Sequence, residues 1–298
     1  MDFYKKIINN KNIRFRILSL LRFVPDDLML KIQYRIKLGR KLNLENPKRY
    51  TEKIQWYKIN HRDPIMAECA DKFLVRDFVK SRGLEHILND LYAKFDSYDD
   101  IAIDDLPESF VLKHSNGSGT NLIVRDKSKL KLDEVKKKFK DYMAQSNASA
   151  GREWVYNVNK PVIVAEKLLE DSEQKDGIYD YKFLCFDGTP CCVWKDIGRY
   201  TDHRRNFYDM EWNDLHITSD HPRSDFSEPR PAKFEEMIEI ASTLSKGFPA
   251  VRVDLYQVDN RVVFGEMTFY PWSGYVQFVP DEFDFELGKK FVLPSTVK

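Results

Sequence analysis

The sequence predicts an α+β protein in which a helical N-terminal part is followed by antiparallel strands. Three stretches predict it. The first 83 residues carry helical periodicity, the runs YKFLCF and PCCVW flank Asp187-Gly188, and Val251 to Phe269 holds two apolar-rich runs meeting at Asp259-Asn260. Aspartate followed by glycine or asparagine between apolar runs is a hairpin signal, so the strands it joins are antiparallel.

The chain has 298 residues and 42% hydrophobic content, enough for a sizeable core, and reads as globular and not disordered. Its net charge of +1 hides an asymmetry: residues 1–60 hold 15 Lys/Arg against 5 Asp/Glu (+10), and the remainder holds 33 against 42 (−9). A basic segment of this kind suits an anionic membrane surface or a solvated helical face. No basic-aromatic motif accompanies it, so nucleic acid is not an expected partner. The cysteines Cys69, Cys185, Cys191 and Cys192 form no C-x-x-C pair, which points to a reducing compartment and not to a zinc site or disulfide framework. With no run of about 18 apolar residues and no signal-peptide pattern, the expected location is cytoplasmic, with peripheral contact at the inner membrane face through the basic N-terminus.

Taken in order, residues 13–24 (IRFRILSLLRFV) place Ile13, Ile17, Leu20, Leu21 and Val24 at helical spacing between arginines. Pro25-Asp26-Asp27 starts a second helix reaching about Gly39, Thr51 a third, and Pro64 a fourth running to Arg82 with Gly83 as its stop. On that fourth helix Lys72 and Arg76 share a face. Residues 91–107 are rich in aspartate and read as connection. A strand Phe110 to Lys113 enters HSNGSGTN and leaves through LIV, so Gly117, Ser118 and Gly119 lie in a flexible hairpin loop whose amides could cradle phosphate. A helix follows through Val135 and Phe139, then a polar connection from Gln145 to Gly151, then the strand PVIVAEKLL. The Asp187-Gly188 hairpin makes Lys182 and Lys195 available to one face. Residues 199–231 read as a long loop region, and a helix through Phe234 and Leu244 stops at Gly247 before the last hairpin. A short helix near Phe285 to Phe291 closes the chain.

In that hairpin, a three-residue loop from Asp259 to Arg261 pairs Val258 with Val262 and sets Asp254 opposite Glu266 and Arg252 opposite Thr268, all on one face. The reverse face then carries Val251, Val253, Leu255, Val263, Met267 and Phe269. A two-residue loop would send the two carboxylates to opposite faces, because a one-residue slip flips every side chain. Two facing carboxylates repel unless a proton or cation sits between them, and oxygen ligands suit magnesium bridging phosphates. The alternative is an ordinary hairpin whose acids and arginine pair with each other.

The motifs NLENPKRYTEKIQW, ADKFLVRDFV, FVLKHSNGSGTNLIV, DYKFLCFDG and VRVDLY…FGEMTF, in this order, resemble the TupA-like branch of the ATP-grasp superfamily, which is associated with bacterial surface-polysaccharide synthesis. The resemblance covers nearly the whole chain. It implies an ATP-grasp fold, two antiparallel lobes clasping ATP, with a helical N-terminal extension: residues 1–60 as the extension, a small lobe at about 90–165, a hinge at 166–169 and a large lobe at about 170–298 of a grasp domain spanning 61–298. It implies ATP and Mg2+ as cofactors and an ATP-dependent carboxylate-amine ligase working through an acyl phosphate. Lys72 and Lys113 become phosphate-contacting lysines, with His114 and the Gly117-Ser118-Gly119 loop beside the nucleotide. Glu166, Lys167 and Leu168 become the adenine-facing hinge, and Asp180 and Lys182 meet ribose or phosphate. Asp254 and Glu266 become magnesium ligands with Thr268 where relatives commonly have asparagine, and Arg252 the arginine aimed at the transferring phosphoryl group.

For the acceptor, an amino acid or amine joined to a sugar acid or peptide, the candidate contacts are Arg199, Arg204, Arg205, Ser273 and Gly274. Of the six histidines, His203, His216 and His221 are read as lacking metal-ligand spacing and partners. The alternatives are a glycosyltransferase holding a sugar nucleotide through Asp254 and Glu266, and a kinase that stops at phosphoryl transfer.

Overall fold

The computed structural model describes residues 21–117, 119–144, 151–171, 178–198, 202–226 and 228–295. Most of the helix expected at 13–24, the connection 145–150, Ser118 and Arg199 therefore lie outside the described residues. Extended Pro25 leads into α1 (Asp26–Leu38), which ends on left-handed Gly39 (φ 71°). α1 buries Leu30, Tyr34 and Leu38, and the Tyr34 hydroxyl meets that of Thr51 at 2.7 Å.

α2 (Tyr50–Asn60) starts where the Glu52 carboxylate accepts the amides of Lys48 and Arg49 at 2.9 and 3.1 Å. The helix expected from Pro64 to Arg82 is two helices, α3 (Pro64–Ala70) and α4 (Val75–Ser81). Between them the Asp71 carboxylate accepts the amides of Phe73 and Leu74 at 2.8 and 3.0 Å, a side-chain bond that competes with helix continuation.

The first sheet comprises β1 (Leu91–Phe95), β2 (Phe110–His114), β3 (Asn121–Val124) and β4 (Ile163–Glu166), ordered β1-β4-β2-β3 with every pair antiparallel. β1 corrects the reading of 91–107 as connection. Its partner β4 follows about 70 residues later, so no local hairpin signal announces it. α5 (Leu132–Ala144) supplies Val135 and Phe139 to the core of this sheet.

The second sheet comprises β5 (Asp180–Phe186), β6 (Thr189–Ile197), β7 (Arg204–Tyr208), β8 (Val251–Val258) and β9 (Arg261–Thr268), ordered β7-β6-β5-β8-β9. β7 corrects the reading of 199–231 as loop throughout: RRNFY is short and becomes a strand by pairing with β6. α6 (Phe234–Ser245) covers one face of this sheet, meeting Phe183 through Phe234. α7 (Glu282–Lys290) packs against α2, where Asp284 accepts from the Thr51 amide and hydroxyl at 2.9 and 2.8 Å.

Two bulges set which side chains face out. The last hairpin has a two-residue loop, Asp259-Asn260 (φ 48° and 58°), with Val258 opposite Arg261. The three-residue loop expected from sequence is therefore wrong, yet Asp254 does face Glu266 and Arg252 does face Thr268. A bulge at Gly265 restores the phase: Leu255 pairs with Phe264, Asp254 with Glu266, and Gly265 is the extra residue. Nearer the loop the phase stays shifted, so Val263 sits opposite Tyr256 on the polar face, while Val262 and Phe264 join the core. The expectation that Val263 lies on the apolar face is thus corrected.

Cys191 plays the same part in the β5-β6 hairpin. Leu184 pairs with Cys192 and Cys185 with Pro190, which brings Asp196 opposite Asp180 and Trp194 opposite Lys182. Lys195, expected beside Lys182, pairs with Tyr181 and points the other way, donating to Glu228 at 2.6 Å beneath the Tyr179 ring. An unbulged register would have put Lys195 opposite Asp180, and the extra residue reverses that.

Candidate active site

The alternation set by the two bulges gathers Asp180, Lys182, Asp196, Arg205, Arg252, Asp254, Glu266 and Thr268 on one face of the second sheet. Arg252 is the centre of the group. Its Nε donates to Asp254 Oδ1 at 2.6 Å, and its Nη2 donates to Asp254 Oδ2, Glu266 Oε1 and Thr268 Oγ1 at 2.8, 2.7 and 3.0 Å. Lys182 pairs with Asp180 and stands 3.6 Å from both Asp196 and Asp254. The four acids on this face, Asp180, Asp196, Asp254 and Glu266, thus lie among three cations of the same face, Lys182, Arg205 and Arg252.

Burial raises Asp254 above the ordinary carboxylate range, and the opposing pull of Arg252 and Lys182 does not cancel it. Burial also works against the charge of Glu266, but Lys72 and then Arg252 hold that carboxyl below its usual value, although at 39% exposure water screens part of the effect. For Asp196 burial is likewise outweighed, by Arg205 and Lys182, and its carboxyl lies low.

Lys72 reaches this face from the break between α3 and α4. Its ammonium donates to the Gly117 carbonyl at 2.8 Å and lies 4.0 Å from Glu266. The break is pinned to the Gly117 loop, because Ser115 donates its hydroxyl to Asp71 at 2.6 Å and the Lys72 amide bonds the Ser115 carbonyl at 3.1 Å. Lys72 and Arg76 do not share a continuous helix face as expected, but both border one small cleft with Lys113, Glu166 and Gly265. Glu166 accepts from Lys113 at 2.6 Å and lies 3.7 Å from Arg76, so its carboxylate is engaged by cations. The Lys167 amide and carbonyl are taken by Asp90 and Asn89, and Lys167, Leu168 and Leu169 of the hinge all border open space.

That space is a cavity of about 170 Å³ between the two sheets. Val111, Ile123, Leu169 and Tyr179 give it apolar walls, and Lys113 and Asp180 give it a polar end. His114 points to the opposite face of β2 from Lys113. It is buried with neither ring nitrogen hydrogen-bonded, and burial, then Lys72, lowers it to about 4.

At the far end of the polar face, Arg205 donates to Asp196 at 2.6 Å and pairs with Asp220. Trp272 stacks on buried Trp194 at 4.6 Å and donates its indole N–H to Asp220 at 3.0 Å. Arg204 points away, binding Asp202 at 2.8 Å in solvent, so the structure brings Arg205 but not Arg204 to the site. Ser273 and Gly274 lie in a turn where Trp272, Ser273 and Gly274 all have positive φ (51°, 56° and 66°). Lys58 of α2 locks this turn, donating to Ser273 O, Ser273 Oγ, Gly151 O and Gln55 Oε1 at 2.9, 3.0, 2.9 and 3.1 Å. Gln55 adds bonds to the Ser273 and Gly274 carbonyls, both at 3.0 Å.

The reading of His203, His216 and His221 as partnerless is corrected: they lie 3.2, 3.7 and 3.6 Å from Asp196, Asp214 and Asp220, and the His203 and His221 ring centroids are 3.7 Å apart. Sequence reasoning also missed Asp196, Trp272, Gln55 and Lys58. Only Asp196 carried a signal, alternation with Trp194 along β6.

A family model described as TupA-like ATPgrasp matches residues 52–292. No curated protein matches the chain. Among solved structures, the D-alanine–D-alanine ligase of Bacillus anthracis is similar at 18% identity and a TM-score of 0.41, covering 67% of this chain and 57% of that one. The corresponding Helicobacter pylori ligase is similar at 17% identity and 0.40, covering 76% and 61%. An ADP complex of N5-carboxyaminoimidazole ribonucleotide synthetase is similar at 13% and 0.42, covering 73% and 50%. The chain thus spans between half and about three-fifths of the length of these proteins. With the family model matched from α2 to the end of α7, and two antiparallel sheets enclosing a cavity between them, the chain belongs to the TupA-like ATPgrasp family.

Proposed function

We propose that this protein is an ATP-dependent, magnesium-requiring carboxylate-amine ligase that works through an acyl phosphate, attaching an amino acid or amine to a sugar acid or peptide in surface-polysaccharide synthesis. The observation that carries the reaction class is the meeting of Lys72, Lys182 and Arg252 with Asp254, Glu266 and Thr268 beside a cavity that Lys113 and Asp180 border. Family membership supports ATP as the phosphoryl donor. The polysaccharide setting rests on the resemblance of the sequence motifs.

The cavity suits a nucleobase at its apolar end, with Leu168 and Leu169 as backbone partners and Lys113 and Asp180 toward ribose and phosphates. Lys72 and Lys113 hold phosphate oxygens, beside the loop that Gly117 and Gly119 flank. Among the described residues no group of three or more His, Cys, Asp or Glu could hold a metal by itself. Facing Asp254 and Glu266, with Thr268, nonetheless form the oxygen-only donor set that magnesium takes when phosphates complete its shell. Bound there, magnesium would neutralise phosphate charge as a Lewis acid. Arg252 can release its acids to bind the transferring phosphoryl group, and Lys182, paired with Asp180 and 3.6 Å from Asp254, adds positive charge beside it. Arg205, Ser273 and Gly274 border the acceptor side.

The glycosyltransferase alternative leaves Lys72 and the glycine loop without a role. A kinase shares the nucleotide site and differs only in product. The test is to incubate the full chain with ATP, magnesium and a panel of carboxylic acids and amines, following nucleotide release and product mass. ADP, phosphate and a condensed product are expected. AMP with pyrophosphate would exclude the acyl-phosphate route, and a stable phosphorylated product would identify a kinase.

A further inference from the structure

α1 is packed on one side only. Met29, Leu30, Gln33, Tyr34 and Leu38 are buried, and on the other side Leu28, Ile32 and Ile36 are 48%, 43% and 51% exposed. Their spacing of four puts all three on one outward stripe. Phe23, in the turn before α1, is 82% exposed. Lys31 and Arg35 are exposed on the same side of the helix, one turn from Leu28 and Ile32, Lys31 beside exposed Asp27 at 3.4 Å and Arg35 donating to the Gly39 carbonyl at 2.7 Å. Aliphatic side chains in a row with cations at their border are the pattern of a helix lying in a membrane interface.

We infer that the outward stripe of α1, with Phe23 and the cations Lys31 and Arg35, is a docking surface for an anionic phospholipid bilayer. Charge selects this occupant: residues 1–60 carry 15 Lys/Arg against 5 Asp/Glu, so pairing this surface with its own copy about a two-fold axis would bring like charge against like. Size argues the same way. A stripe of nine residues spans roughly 12 Å along the helix, too little for the roughly 800 Å² per partner of a stable dimer. The first 20 residues hold five Lys/Arg and one acid, so they too are poor electrostatic partners for this border. Nucleic acid would use the cations and leave three aliphatic side chains against a polyanion. Among the described residues no helix is long and apolar enough to cross a membrane, so the contact is peripheral.

Sedimentation of the full chain with vesicles tests this, and it needs no nucleotide, so it stands or fails apart from the ligase reading. Binding is expected to vesicles of phosphatidylcholine mixed with phosphatidylglycerol, weakening with salt, and not to phosphatidylcholine alone. Ile32→Glu combined with Ile36→Glu should lower the affinity tenfold or more while circular dichroism is unchanged, and Lys31→Glu with Arg35→Glu should lower it too. Equal binding by the Ile32→Glu, Ile36→Glu protein, or no binding by the wild type, would overturn the inference. So would a dimer in sedimentation velocity that these substitutions convert to monomer.

Discussion

Arg252 carries most of the local electrostatics. It bonds two carboxylates and a hydroxyl, and one of those carboxylates, Asp254, is only 2% exposed. Under the proposed reading, Asp254→Asn keeps the shape but removes a magnesium ligand, and ADP release should fall about a hundredfold or more, with ADP affinity in the absence of metal little changed; titration calorimetry and a coupled assay check both. His114 makes a separate point about pH. Its folded value of about 4 lies below the free-imidazole value of 6.5, because burial disfavours the charged ring. Between those values the unfolded chain binds a proton that the folded chain does not, so stability is full above pH 6.5 and falls as pH drops toward 4. The loss from this one group is about 2 to 3 kcal/mol by pH 4.5. Urea unfolding at pH 7 and pH 4.5 should show it, and His114→Gln should reduce the difference between the two.

At the scale of elements the bulges and the turn matter most. A side chain on Gly265 would come within 2.9 Å of the Asp254 carbonyl, so Gly265→Val should cost about 1–3 kcal/mol and depress activity further than stability, read as urea midpoint against ADP release. The left-handed run from Trp272 to Gly274 persists because α2 holds it, and any side chain at Gly274 would collide with Gln55. Lys58→Met removes the donor from two carbonyls, a hydroxyl and an amide oxygen and should cost about 2–4 kcal/mol in urea unfolding. Helices with caps and both hairpins were legible in sequence, because their signals lie within a few residues. β1 and β7 were not, since each becomes a strand only through a partner. Register was legible at one level and not the next: Asp254 facing Glu266 was foreseen, but through a three-residue loop, whereas Asp259-Asn260 takes the tight turn and Gly265 corrects the phase. Lys195 was misplaced for the same reason, because Cys191 has no compositional mark of a bulge.

For the molecule as a whole, the helical extension is not an appendage. Ile54 and Tyr57 are fully buried in the core that holds Phe183 and Val253, and Arg49 pairs with Asp281 at 2.7 Å across 232 residues of chain. A boundary at residue 60, natural from charge and composition, therefore cuts through a packed core. A chain beginning at residue 61 should lose cooperative unfolding and expose Tyr270 and Phe291, seen as dye binding and a broad thermal transition in place of a sharp one. Lys72, Lys113 and Glu166, each named from a contiguous motif, do come together at one cleft. At the far end of the polar face Arg205 was foreseen, but its neighbours Asp220 and Trp272, and Lys58 behind the turn, were not, because no local pattern links them to it.

Arg252 already occupies the position between Asp254 and Glu266 that a metal would take, and a guanidinium cannot shed its charge at any ordinary pH. Under the proposed reading, free magnesium must therefore displace a permanent cation, which then needs another anion to pair with. A phosphate supplies that other anion. Metal and nucleotide should then bind as a pair: titrating magnesium alone should give no measurable heat, and titrating it with ADP present should give a clear isotherm.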